Sequence, residues 1–355
     1  MTNLLYTDIE DALRESVRGA MERHLDPHST TGIYDEPKPW ESKAWQSLTE
    51  ELGVAGLLVP EDSGGVGAGP REAAVVLEEI GRAVAPVPYL TSSVIATQVL
   101  LQLGESEHIA SLAAGETTAA LVLPWAARPG HWSPAQGTDP VKPVAGAVGA
   151  DLLLIPVADA GGFQLQLVKA ADTTVDPLVS FDMTRPLAAV TLASGEVLAT
   201  GEEAQRAVEA GLQAGAALLA SEQYGLARSC LETTVDYVKN RIQFARPIGS
   251  FQAIKHRLAD LYLEVTQAGA AARYAAAALA DDDPDKAVAI SVAQAYCSDV
   301  AVHAAEEAVQ LHGGNGMTWE YPVHLYLKRA KSSQLALGTP EKHRQDLGPL
   351  VNITT

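Results

Sequence analysis

Arg241-Ile-Gln-Phe-Ala-Arg-Pro-Ile-Gly-Ser-Phe-Gln-Ala-Ile-Lys-His-Arg-Leu-Ala-Asp260 joins two stretches of helical periodicity. Pro247 and Gly249 punctuate a turn inside it. Ile254, Leu258, Leu261 and Val265 then recur on one face of a new amphipathic helix. The connection carries a guanidinium at Arg241, an aromatic ring at Phe244 and an amide at Gln252 to one place. Arginine suits phosphate because its planar fork donates two parallel charge-assisted hydrogen bonds. A phosphate-bearing ligand at this turn is one reading. A surface arginine at a helix end is the other, and spacing alone leaves both open.

Arg-x-Gln-Phe-x-x-Pro-Ile-Gly-x-Phe-Gln-Ala-Ile-Lys-His resembles the flavin-binding motif of the acyl-CoA dehydrogenase family. Leu52-Gly-Val-Ala-Gly-Leu-Leu-Val-Pro-Glu-Asp-Ser-Gly-Gly-Val-Gly67 and Gln310-Leu-His-Gly-Gly-Asn-Gly-Met-Thr-Trp-Glu320 agree with it in order and separation. The resemblance implies a mainly α fold with a small β domain. Its parts are an N-terminal helical domain over 1–117, a middle β domain over 118–200, and a C-terminal four-helix bundle over 201–355.

Composition is consistent with this. Alanine and leucine abound and aromatics are few, which favours helix. The formal charge is -19 with no basic tract, so nucleic acid is not an expected partner. No apolar run reaches the roughly 20 residues a membrane span needs. Met1-Thr-Asn-Leu-Leu-Tyr-Thr-Asp lacks the basic start of a secretory signal, and a cytosolic location is expected. Cys230 and Cys297 lie in helical patterns and read as buried free thiols.

Periodicity predicts helices over 8–24, from Pro39 to Leu52, over 70–84, about 91–103 and 106–114, with a turn-rich loop over about 25–38. Glu61-Asp-Ser-Gly-Gly-Val-Gly-Ala-Gly69 lacks the lysine of a phosphate-binding loop and reads as a tight corner. Glu78 and Glu79 are adjacent helix positions and are expected on a solvated edge. Strands are expected at 119–124, 151–156, 163–168 and 187–192. Helix returns over 202–240, 251–280, 285–311 and 322–335, with Asp346–Thr355 as a tail. Gly215 and Gly225 are expected to permit close packing. Asp281–Asp285 reads as a solvated cap, not a metal site. His256, His312 and His324 are expected to be packing residues.

The family's chemistry needs a carboxylate that takes the α proton while flavin takes the β hydride. In most members the resemblance places that carboxylate in a Glu-Gly-Thr segment, which here reads Gln334-Leu-Ala-Leu-Gly-Thr339. Leu337 stands in the glutamate's place and cannot accept a proton. The alternative position on the long preceding helix falls near Gly215, and Glu222, about two turns later, is the next acid along the helix. The family's Thr-Glu-Pro segment, which holds the flavin ring, is replaced by Pro124-Trp-Ala-Ala-Arg-Pro-Gly130. Trp125 could stack on a flavin or belong to the core.

In the family the flavin lies at a subunit interface. The resemblance therefore implies that this chain supplies the ADP half of an FAD site through Arg241, Phe244, Ile248, Gln252, Gln310, Gly313 and Gly314, with no catalytic residue of its own and no metal. The partner implied is a homologous acyl-CoA dehydrogenase subunit that carries the base and the acyl-CoA. The expected assembly is a bacterial heterotetramer with two copies of each chain and half as many flavins as subunits, of the type that acts on steroid side-chain CoA thioesters. The alternatives are a homomeric enzyme with Glu222 as a displaced base, and a non-enzymatic scaffold.

Overall fold

The computed structural model describes residues 4–25, 36, 38–105, 107–159 and 162–353. The loop expected over about 25–38 falls almost wholly outside these residues.

The N-terminal part is helical. Helix α1 (Asp8–His24) opens on a capping box, in which the Thr7 side chain accepts from Glu10 N and the Glu10 carboxylate accepts from Thr7 N. Helix α2 (Ser42–Gln46) continues into a wider π-type turn over Ser47–Glu51, within the segment expected after Pro39. The glycine-rich stretch is the expected corner. A Cβ at Gly65 would lie 2.1 Å from the Val59 carbonyl oxygen, so only glycine fits. Helix α3 (Pro70–Ala83) starts with proline in its first turn. Tyr89–Ala96, another π-type stretch, runs into α4 (Thr97–Gln102), and α5 (Glu107–Ala113) follows.

Glu78 and Glu79 are not on a solvated edge. Both are 2% exposed. Helix α3 is buried all round, so adjacent positions each find a partner. Arg14 bridges both carboxylates at 2.7 and 3.0 Å, Arg18 binds Glu79, and the Tyr6 hydroxyl donates to Glu78. Arginines on α1, one face away in sequence, supply what a single-helix reading does not see.

The middle part holds two small sheets. The first runs β1 (Ala119–Leu121), β3 (Leu152–Asp159), β4 (Gly162–Lys169) and β7 (Glu196–Thr200), with β1 and β3 parallel and the rest antiparallel. The second runs β2 (Val141–Ala145), β6 (Leu187–Val190) and β5 (Val175–Leu178). Alternation along β3 divides its side chains. Leu153 and Ile155 face the second sheet with Val144, Val168 and Val190, while Leu152 and Leu154 join the main helical core. Both faces are covered, which is why 152–155 reads as an unbroken apolar run. Strands β2, β5 and β7 escape the sequence reading: each mixes charge or proline with exposed positions at a sheet edge.

The C-terminal part is a bundle of α6 (Gly201–Asn240), α7 (Gln252–Ala280), α8 (Lys286–His312) and α9 (Val323–Leu335). The expected tail is incorrect for its first half, because residues Pro340–Leu350 form α10. Its start signal is present in the sequence: Thr339 caps Lys342 N and Pro340 occupies the first turn. Cys230 and Cys297 are buried and free.

Helices α3 and α6 cross at two glycines. A Cβ on Gly81 would come 2.0 Å from the Glu222 carbonyl oxygen, and one on Gly225 1.9 Å from that of Glu78. Gly225→Ala is therefore expected to push α6 off α3 at a cost of about 1–3 kcal/mol. A lowered thermal midpoint of the purified chain checks this, and an unchanged midpoint would refute the packing account.

Candidate functional site

Helix α6 ends at Asn240, and the chain enters a two-stranded hairpin of β8 (Ile242–Gln243) and β9 (Arg246–Pro247). Its turn is at Phe244–Ala245, two residues before the proline expected to mark it. Both turn residues have positive φ, 51° and 59°, the conformation of the tightest hairpin turns. A bulky aromatic there is unusual for its local cost. The turn presents the Phe244 ring outward, 88% exposed and edge-on to Phe251 at 6.2 Å. Arg241 is exposed at the hairpin's root, and its backbone bonds to Tyr237 and Ile248. Its guanidinium has no partner among the described residues.

Tyr237, one turn before Arg241, ties this root to the end of α8. Its ring stacks on His312 at 4.0 Å, and its hydroxyl donates to the His312 carbonyl and accepts from Asn315 Nδ2. Gly313 and Gly314 follow directly. Gly313 has φ +59°, which requires glycine. A Cβ on Gly314 would meet nothing within 4 Å, so no contact within this chain excludes a side chain there. The structure thus brings the Arg241–Phe244 hairpin and the Gly313–Gly314 turn to one end of the bundle. Gln252 opens α7 and Gln310 lies in the last turn of α8, both exposed, while Ile248 is half-buried. Tyr237 and Asn315 were missed by sequence reasoning. The only signal was Tyr237 one helical turn before Arg241. His312 is the packing residue expected, whereas His256 is exposed.

The second half of the expected site is closed. Leu337 is 2% exposed, with φ 51° and its N–H donated to the Trp125 carbonyl at 2.8 Å. Around it pack Ile95, Leu121, Leu123, Trp125 and Leu212, leaving a cavity of ≈ 20 Å³. That is room for a water molecule and no more. Trp125 is core, 8% exposed. Gly338, retained from the motif, has a steric role: a Cβ there would come within 2.6 Å of Arg128 and 2.8 Å of His343 Nε2. Thr339 caps α10.

Glu222 is 1% exposed and already engaged. Arg185 Nη2 reaches its two oxygens at 2.7 and 2.5 Å, and Arg329 Nε donates at 3.0 Å. Arg329 also binds Thr184 Oγ1 and the Ala85 carbonyl and approaches Asp182. Burial pushes the Glu222 carboxyl up, but the charges and hydrogen bonds of Arg185 and Arg329 outweigh it. Its pKa therefore lies below the ordinary carboxylate range. A general base needs the opposite tuning and a free lone pair. The cluster pins the β domain, through Asp182, Thr184 and Arg185, to α6 and α9. Asp182-x-Thr184-Arg185 carried no recognised pattern, and its partners lie on remote segments.

Two family descriptions match this chain. "Acyl-CoA dehydrogenase, N-terminal domain" covers residues 7–114, and "Acyl-CoA dehydrogenase, C-terminal domain" covers 205–349. "Acyl-CoA dehydrogenase IpdE2" of Mycolicibacterium smegmatis is 35% identical over 95% of this chain and 97% of its own. The chain belongs to the acyl-CoA dehydrogenase family. A further acyl-CoA dehydrogenase, FadE27 of Mycobacterium tuberculosis, is 31% identical over 84% of this chain and 85% of its own. Among solved structures, the "Tcur3481-Tcur3483 steroid ACAD G363A variant" superposes with a TM-score of 0.85 at 25% identity, covering 97% of this chain and 98% of that one. The ChsE4-ChsE5 complex from Mycobacterium tuberculosis gives 0.85 at 24% identity, covering 99% and 100%, a likeness of fold.

Acyl-CoA dehydrogenases generally bind FAD, and the two halves of this chain fit it unequally. The hairpin end offers a guanidinium with no partner among the described residues, an exposed ring and bare glycine backbone over open space. The cleft beside Trp125 and Leu337 has no volume for a flavin ring or an acyl chain.

Proposed function

We propose that this chain is the non-catalytic subunit of a heteromeric FAD-dependent acyl-CoA dehydrogenase. It holds the ADP half of a flavin whose ring and substrate belong to a homologous partner. The observation that carries this reading is the contrast within one chain: an exposed hairpin end, where the Arg241 guanidinium has no partner among the described residues, and a cleft filled around Leu337. The likeness to a steroid ACAD assembly supports a steroid-type CoA thioester as the substrate of the complex.

FAD, when bound, accepts the hydride removed from the acyl chain. This chain's residues would hold and orient it. Arg241 would neutralise the pyrophosphate. Phe244 and Ile248 would pack against the adenosine, Gln252 and Gln310 would donate or accept hydrogen bonds, and Gly313 and Gly314 would let backbone approach closely. The base would come from the partner, because Leu337 cannot serve and Glu222 is held as an ion-paired carboxylate.

The test is to purify the chain alone and with its homologous partner. The expected result is a colourless, inactive chain and a yellow, active complex with half as many flavins as subunits. Yellow, active protein from this chain by itself would overturn the reading. Leu337→Glu is expected to gain no turnover, since the new side chain faces a full cavity and an unpaired carboxylate buried there costs about 3–5 kcal/mol of stability. Dehydrogenase assays and a thermal melt of the variant check this.

A further inference from the structure

The hairpin carries a second guanidinium, Arg246, besides the one at its root. Strands β8 and β9 pair Ile242 with Pro247 and Gln243 with Arg246, and one step further out Ile248 N donates to the Arg241 carbonyl at 2.9 Å. Paired residues, and residues two apart on one strand, share a face of such a ribbon. Arg241, Gln243, Arg246 and Ile248 therefore lie on one face, and Ile242 and Pro247 on the other. Arg241 and Arg246 are diagonal neighbours there, a separation of about 7–8 Å that long side chains span. This face carries both arginines and no acid.

Arg246 is exposed, and its guanidinium lies over the Phe251 ring, 3.8 Å from the centroid. Phe244 meets the same ring edge-on at 6.2 Å. Phe251 is half-buried at the start of α7. Its N–H donates to the Ile248 carbonyl, and its own carbonyl accepts from Ile254 N and Lys255 N. The ring is thus anchored through its backbone, and it holds in place a side chain that is otherwise free to move. Stacking engages the flat face of a guanidinium and leaves the N–H groups open at its edge. Arg246 has no carboxylate partner among the described residues, in a chain of formal charge -19. An arginine held flat and left without an acid is arranged for an anion from outside the chain.

We propose that Arg246 is a second phosphate-binding residue of the hairpin, so that the two phosphates of the dinucleotide meet two guanidinium groups. This deepens the function proposed above and rests on it. Each phosphate of a dinucleotide's diphosphate bears a negative charge at neutral pH, and Arg241 alone leaves one of them uncompensated. With Arg241 at the root of the ribbon and Arg246 next to its tip, the face matches a diphosphate better than a single phosphate. The hairpin thereby selects an ADP-bearing coenzyme over a mononucleotide. Phe251 serves this by fixing where the Arg246 donors point. The alternative role for Arg246 is a brace that only covers the Phe251 ring.

The experiment compares the apo-complex of the chain and its partner as wild type, Arg246→Met and Arg241→Ala. Methionine keeps an apolar cover on Phe251 and removes the charge. Position 246 is exposed, and an unchanged melt and sedimentation profile establish that the variant folds and assembles. Each complex is titrated, at low and at high salt, with FAD and with riboflavin, which has the ring and no phosphate. The expected result for Arg246→Met is a loss of FAD affinity of about tenfold or more. Its FAD binding should also depend less on salt than that of wild type, and its riboflavin binding should equal that of wild type. FAD affinity equal to wild type in Arg246→Met overturns the assignment. An equal loss for FAD and riboflavin overturns it too, and makes Arg246 the brace. Weakened FAD binding in Arg241→Ala in the same series leaves the functional reading standing in both cases. Unchanged FAD affinity in both variants removes the reading and the assignment together.

Discussion

Arg241→Ala is expected to leave the heteromeric complex assembled and to weaken its hold on flavin by roughly 30- to 140-fold. Arg241 is exposed and its guanidinium has no partner among the described residues, so truncation removes no internal contact. Under the function proposed above, what it removes is a charge-assisted hydrogen bond to phosphate, worth about 2–3 kcal/mol, which converts to that fold-change. Flavin retention on gel filtration and titration of the apo-complex measure it. Unchanged affinity would favour a scaffold that keeps the fold without holding the coenzyme. Arg241→Lys should recover only part of the loss, because an ammonium lacks the two-pronged geometry.

Glu222→Gln is expected to cost about 3–5 kcal/mol of stability, because it strands two buried guanidinium groups. Arg185 and Arg329 are 7% and 1% exposed, and Asp182 remains as the one carboxylate near them among the described residues. The variant should express poorly or melt well below wild type. Where a complex can be recovered, its turnover per bound flavin should be unchanged. A stable variant with collapsed turnover would restore Glu222 as a base. The pH dependence has a definite sign. The folded-state pKa of Glu222 is depressed, so its contribution is fully present above the ordinary carboxylate range and is lost as pH falls through the lower folded value. Acid unfolding of wild type should therefore be steeper than that of Glu222→Gln.

Much of the fold was legible because long apolar periodicity needs no partner to interpret. The boundaries of α6, α7, α8 and α9 fall within a residue or two of those expected. The hairpin was legible as a motif and less so as a shape, since positive φ at Phe244 and Ala245 breaks the usual turn chemistry. The buried acids were not legible. Glu78, Glu79 and Glu222 look like surface residues in sequence. Their partners Arg14, Arg18, Arg185 and Arg329 lie dozens to more than a hundred positions away. Leu337 was legible as an absent base, but that the cleft around it is full depends on Ile95, Trp125 and Leu212, three side chains from three segments.

The α3–α6 crossing joins both acid clusters at one fulcrum. Gly81 rests on the backbone of Glu222, and Gly225 on the backbone of Glu78. Each glycine thus seats the main chain of an acid whose side chain anchors a different part of the molecule: Glu78 the N-terminal arm through Tyr6 and Arg14, Glu222 the β domain through Arg185. A displacement of one helix along the other shifts both anchors together. Damage at the two ends should interact instead of adding, so that Arg14→Leu and Arg185→Leu combined cost less than their separate losses suggest.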